Sequence, residues 1–200
     1  MSLPDGYTDI PAGKVAFVAT SLEMLARPAL GPLPGLARYA IRSVPNPDPD
    51  WYRDLFRRVG TDWLWFSRLK LATSGLTVII QHPDVAVYAL AGPDGDDGLL
   101  ELDFRVPGEC EIAYFGIGPA RIGHGAGRAL MNVAIEEAWR RPIRRFWVHT
   151  CTGDHPAALA FYMRSSFVPF KRQIEIADDP RLLGLLPHDC APHVPLIHPG

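Results

Sequence analysis

The chain is poor in lysine. Lys14, Lys70 and Lys171 are its only three, so 17 of its 20 basic residues are arginine. Beside 20 Pro and 18 Gly, that skew reads as codon bias rather than as function. Nor is there a surplus of positive charge. The 20 basic and 22 acidic residues leave a formal net charge of -2, whereas a nucleic-acid binder is usually strongly basic. Cysteine is scarce too: Cys110, Cys151 and Cys190 are odd in number and spaced like no disulfide framework. A reducing cytoplasm is therefore the expected compartment. Asp5 and Asp9 stand where a leader would be basic, and the apolar run from Val15 to Thr20 is too short for a signal segment. No apolar run reaches membrane-spanning length, because Gln81, His82 and Asp84 interrupt the best candidate. Neither nucleic acid nor a membrane is an expected partner.

What is present suffices for a packed core. Hydrophobic residues make up 48% of 200 residues, which predicts one domain over residues 1–200, with about 180–200 as an irregular tail. The Val15–Thr20 run reads as a first strand. Proline, glycine, asparagine and aspartate crowd residues 28–50, a long loop. Asp50 can cap a helix that aligns Trp51, Leu55 and Val59. Thr61 or Asp62 can cap a second through Trp63, Phe66 and Leu69, and residues 72–84 hold a third. The period then changes. Val85–Leu90, Leu99–Val106 and Glu111–Ile117 alternate as strands, separated by turn chemistry at Pro93–Gly98 and at Pro107-Gly108. They predict an antiparallel meander. A helix follows, with Leu130, Met131, Ala134, Ile135 and Ala138 on its apolar face, ended by Pro142. Phe146–Cys151 is a strand, so strand–helix–strand here predicts a right-handed parallel crossover. Pro156 opens another helix to about Arg164, and Phe167–Ile176 is a last strand or pair of strands.

The informative segment is EIAYFGIGPARIGHGAGRALM, residues 111–131. A strand leads through Gly123-His124-Gly125-Ala126-Gly127 into a helix. Free backbone N–H groups at a positive helix end, with glycines that let a bulky anion come close, predict a phosphate site. A Walker loop is excluded because Arg128-Ala129 stands where Lys-Ser/Thr is needed. A Rossmann fingerprint fails because Arg128 stands at its third glycine and the loop follows an antiparallel meander. The pyrophosphate of coenzyme A remains.

The element order and two motifs resemble the GNAT superfamily of acyl-CoA-dependent N-acetyltransferases. Its phosphate signature, Arg/Gln-x-x-Gly-x-Gly/Ala, is similar to Ile122-Gly-His-Gly125-Ala-Gly127, with Ile122 in place of the leading polar residue. Its Asn-x-x-Ala-x-x-x-Tyr-x-x-x-Gly-Phe pattern is similar to the run from His155 through Ala158 and Tyr162 to Ser166-Phe167, with His155 for Asn and Ser166 for Gly. The resemblance covers residues 75–175 well. It implies a mixed α/β (α+β) fold, a mostly antiparallel sheet with one parallel crossover and flanking helices. It also implies transfer of an acetyl group from acetyl-CoA, as co-substrate, to an amine of a small molecule or peptide. Tyr114, Phe115, Gly116 and Ile117 would pair with the pantetheine arm. Ile122, Gly123, His124, Gly125, Ala126, Gly127, Arg128 and His155 would hold the rest of coenzyme A. Glu111 would be the general base and Tyr162 the general acid. Glu101 and Asp103 are rival bases on the neighbouring strand.

Other readings of the residues are weaker. His149, Cys151, Asp154 and His155 crowd one strand end, but without nucleophile or metal spacing, so no metal is expected. His188, Cys190 and His193 lack a second ligand pair, so that segment reads as a surface tail. Trp63 and Phe66 read as core, and Trp65 as a pocket wall. A homodimer is compatible with the resemblance. The competing class is a non-catalytic acyl-CoA sensor on the same fold.

Overall fold

The computed structural model describes residues 5–29 and 39–200. Its centre is one seven-stranded sheet in the order β2-β3-β4-β5-β6-β1-β7. The strands are β1 (Lys14–Met24), β2 (Ile41–Ser43), β3 (Val85–Gly92), β4 (Gly95–Asp103), β5 (Glu109–Ile117), β6 (Arg145–Cys151) and β7 (Val168–Asp178). Only β5 and β6 run parallel; every other neighbour pair is antiparallel. Among the described residues four helices flank the sheet: α1 (Pro49–Gly60), α2 (Thr73–Ile80), α3 (Ala126–Ala138) and α4 (Ala158–Arg164). This is the expected α+β architecture with its one parallel crossover through α3.

Strand alternation divides the core into two layers. On one face Tyr52, Leu55, Phe56 and Val59 of α1 and Leu76 and Ile80 of α2 meet Val87, Ala89 and Leu99. On the other, Leu130, Met131, Ala134, Ile135 and Ala138 of α3 meet Leu100, Leu102, Ile112, Phe146 and Val148. Asp48 starts α1, accepting hydrogen bonds from the Asp50 and Trp51 amides at 2.9 and 3.0 Å.

Several expectations are corrected. The first strand is longer than Val15–Thr20 and lies inside the sheet, between β6 and β7. The central part of the predicted loop, residues 30–38, lies outside the described residues; β2 occupies part of the remainder. No second helix spans Trp63–Leu69. One 3-10 turn, Thr61–Trp63, is followed by Leu64 in the left-handed region at φ 53°, which stops a helix. The chain doubles back, the Trp65 amide donates to the Gly60 carbonyl at 3.0 Å, and Trp65 covers Gly60. A Cβ on Gly60 would lie 2.5 Å from the Trp65 side chain, so glycine permits the reversal. Helix α3 ends at Ala138, four residues ahead of Pro142.

The C-terminal segment is irregular, as expected, but it is not a loose surface tail. Asp179 and Arg181 are each 2% exposed and joined by a 2.6 Å ion pair. Arg181 also donates to the carbonyls of Cys190 and Val194, at 3.3 and 2.9 Å. These bonds tie the segment down while Leu186, Cys190 and Ala191 fill the α1 layer.

A second buried charge lies beneath α1. Glu101 is fully buried, accepts a hydrogen bond from the Tyr52 hydroxyl, and pairs with Arg68 at 2.5 Å. Burial and the adjacent carboxylate push the Tyr52 pKa up, so the phenol remains a donor. Arg68→Met would strand the carboxylate. The expected loss is roughly 3 kcal/mol, in the range for breaking a buried pair. Urea denaturation checks this, and the double variant with Glu101→Gln should recover part of the loss.

Candidate active site

The parallel ladder between β5 and β6 runs only from Glu109↔Arg145 to Ile112↔Val148. Beyond it β5 continues to Ile117 and β6 to Cys151 without pairing, so the strands part. On the other edge of β5, Leu102 pairs with Ile112 and Glu101 with Tyr114, which leaves Ala113 as a bulge. The bulge resets the alternation. Glu111 and Tyr114 both face the α1 layer, although three positions apart, while Ile112 and Phe115 both face α3.

A cleft of about 580 Å³ enters at this parting and is lined from both strands and both layers. At its α3 end lie Ile122, Gly123, Gly125, Gly127 and Arg128. Gly123 and Gly125 have φ of 82° and 88°, values that L side chains rarely adopt, and Gly125 caps α3. Their conformation presents the first amides of α3 at its positive end. The Tyr39 hydroxyl donates to the carbonyl of His124 and tethers the loop. His124 and Ala126 belong to the loop without lining the cleft. Tyr114, Phe115, Gly116 and Ile117 line it along β5, and Arg164 and Tyr162 along α4. His155 lines it too; its Nδ1 accepts from the Ala157 amide at 3.0 Å and its ring meets Trp63.

Tyr162 is packed by Phe115, Phe161 and Phe167. Burial, reinforced by the nearby Asp154 charge, pushes its pKa far up, so its hydroxyl stays protonated. Asp154 itself accepts from Thr150 Oγ1 at 2.7 Å, the Cys151 amide at 2.8 Å and Trp65 Nε1 at 3.4 Å. Burial raises the Cys151 thiol to about 12, which does not suit a nucleophile at neutral pH. Among the described residues no group of three or more His, Cys, Asp or Glu stands in metal-binding array.

The three candidate carboxylates have different surroundings. Glu101 is committed to Tyr52 and Arg68. Asp103 is held by Arg105 through several bonds, the shortest 2.5 Å, which draw its pKa down against the opposing effect of burial. Glu111 alone faces an imidazole, with its Oε1 3.6 Å from His149 Nδ1. Glu111 does not line the cleft, but His149 does, with 48% of its side chain exposed. The sequence alone groups His149 with Cys151, Asp154 and His155 at one strand end and gives it no role. The pairing with Glu111 crosses two strands and has no local signal. Trp63 and Phe66, read as core, also line the cleft, as does Trp65.

The site is thus a parallel pair that parts around a cleft, with a glycine loop opening the crossover helix. The chain belongs to the Acetyltransferase (GNAT) family, whose model matches residues 39–167. No curated relative matches the chain in sequence. Among solved structures it is similar to a functionally unknown conserved protein from Staphylococcus epidermidis, at 13% identity and TM-score 0.52, covering 84% of this chain and 63% of that one. It is similar to a GCN5-related N-acetyltransferase from Sphaerobacter thermophilus, at 13% identity and TM-score 0.59, covering 82% of this chain and 51% of that one. It is also similar to the ribosomal-protein-S18-alanine N-acetyltransferase from Escherichia coli, at 17% identity and TM-score 0.54, covering 69% of this chain and 90% of that one. At these identities the likeness is one of fold, and the chain spans less than two thirds of the first two. No helix among the described residues is long and apolar enough to cross a membrane.

The His149–Glu111 pair has a measurable consequence. Glu111 raises the imidazole pKa above 6.5, against the lowering effect of burial. A raised folded-state pKa means the pair stabilises fully below about pH 6.5 and loses that contribution as pH rises through the folded-state midpoint. NMR titration should place the His149 midpoint above 6.5, and Glu111→Gln should lower it.

Proposed function

We propose that the protein transfers an acetyl group from acetyl-CoA to a primary amine by direct attack. One observation supports this reading most: the glycine loop opens α3 at one end of the cleft, and the His149–Glu111 pair stands at the parting of the two strands. The loop fits a pyrophosphate, since its amides and Arg128 supply donors and positive charge without a side chain at Ile122. The unpaired edge of β5 past Ile112 fits a pantetheine arm, whose amides need backbone partners. The amine nitrogen bonds to the thioester carbonyl carbon, the carbon–sulfur bond breaks, and the pair of electrons leaves on sulfur.

The chain's own residues would move the protons. His149 reaches the cleft, so it takes the proton from the attacking amine, and Glu111 behind it holds the imidazolium that results. The Tyr162 hydroxyl, kept protonated by burial, gives its proton to the departing sulfur. A free thiol has a pKa near 8.5, so that help is moderate.

The direct test is CoA release from acetyl-CoA across a panel of amines, amino acids, polyamines and peptides. Amine-dependent release supports transfer; tight binding without release would make the protein a sensor. Three variants assign the parts. Gly127→Val avoids strain, because a Cβ at Gly127 meets Ile117 at 3.6 Å and Phe161 at 3.8 Å, ordinary contacts. It should weaken CoA binding by about tenfold or more in calorimetry, roughly 1.4 kcal/mol. Tyr162→Phe should lower kcat by about 10- to 100-fold with acetyl-CoA affinity held. His149→Asn should cost about 100-fold in kcat and remove the acid limb of the pH profile. Glu111→Gln should cost less and move that limb to lower pH. Equal loss in both variants, with the limb unmoved, would return the base role to Glu111 itself.

A further inference from the structure

The acceptor end of the cleft has a chemistry of its own. Its wall on the α1 side is made by Phe17, Trp63, Trp65, Phe66 and Tyr114. Trp65 is fixed in place: its ring lies 5.3 Å from Phe56 and 5.1 Å from Tyr114, and its indole nitrogen faces Asp154. Trp63 is braced between His155 and His193, with ring centroids 5.1 and 5.5 Å away. The wall is therefore a set of braced flat faces.

Its charges are also sorted. The two arginines that line the cleft, Arg128 and Arg164, stand on α3 and α4. Glu175 of β7 stands at the acceptor rim as an exposed carboxylate, near His149. Lys70, which does not line the cleft, holds its ammonium 4.3 Å from the Phe66 ring centre, so the face of this ring attracts a cation.

Three kinds of amine can be compared with this wall. A hydroxyl-rich aminosugar would bury its hydroxyl groups against rings, where the polar groups between them are already paired, Ser67 with the Tyr114 hydroxyl and Thr150 with Asp154. A linear polyamine would bring several charges to a rim with one uncommitted carboxylate. An amine on an aromatic body stacks its ring on the wall and directs its ammonium to the acidic rim. We infer that the acceptor is a primary amine carried on an aromatic ring system. This inference rests on the transfer reading above.

The test measures amine-dependent CoA release for 2-phenylethylamine, tryptamine, spermidine and kanamycin. The two aromatic amines should exceed the others in kcat/KM by about tenfold or more, a difference within the reach of aromatic packing. Trp63→Leu should raise KM for the aromatic amines about fivefold or more, with acetyl-CoA affinity unchanged, and Trp63→Phe should restore most of it. Equal or faster turnover of spermidine or kanamycin overturns the inference and leaves the transfer reading intact. A Trp63→Phe variant as impaired as Trp63→Leu also overturns it, because the ring face is then not what binds. No release with any amine overturns the transfer reading and this inference together.

Discussion

The bulge at Ala113 is the constraint on which the site depends. It falls one residue past the last β5–β6 pair, Ile112↔Val148. Without it, Tyr114 would fall on the α3 side with Ile112, and Phe115 would turn into the α1 layer. With it, β5 points Glu111 and Tyr114 to the α1 side and Phe115 to Tyr162. Beyond the bulge the edge of β5 that would have paired with β6 is free. Both strands continue past their last shared pair and separate, and the gap is the cleft. The glycine loop, Tyr162 and His149 are arranged around that gap.

The two layers have divided roles as a result. The α3 layer carries the positive features: a helix N-terminus, Arg128 and Arg164. The α1 layer carries aromatic faces and, beneath them, the buried Glu101–Arg68 pair. Arg68 lies 5.0 Å over the Tyr114 ring, so the pair supports a ring that lines the cleft. The C-terminal segment belongs to this layer too. Arg181 gathers Cys190 and Val194, and His193 then reaches Trp63 and the Gly153 carbonyl. The final segment thus braces the wall that the short turn after α1 presents.

What the sequence disclosed was mostly local. The glycine loop, the crossover helix and the meander announce themselves within runs of a few residues, because turn chemistry and alternation are nearest-neighbour effects. The same locality explains the misses. The helix expected through Trp63 and Leu69 has adequate periodicity, but Leu64 adopts a left-handed backbone where Trp65 folds over Gly60, a contact made possible by packing against Phe56 and Tyr114. The tail was read as exposed because its composition is weakly patterned. Its burial comes from one ion pair, Asp179–Arg181, whose neutralised charges let the segment enter the core. The inner position of β1 was equally hidden, since strand order is set by pairing across more than a hundred residues.

The choice among three carboxylates shows how environment separates groups of the same chemistry. Glu101, Asp103 and Glu111 lie on one face of two adjacent strands, and Glu111 is directly opposite Asp103. Alternation alone ranks them equally. Arg68 and Tyr52 consume the acceptor capacity of Glu101, and its full burial leaves no path to a substrate. Arg105 folds back on Asp103 and lowers its pKa, which weakens it as a base. Glu111 has neither an arginine clamp nor access to the cleft. Its ion-pair partner is His149, which lines the cleft and has a pKa raised by the carboxylate behind it. Seen from the cleft, the imidazole therefore comes first and the carboxylate second.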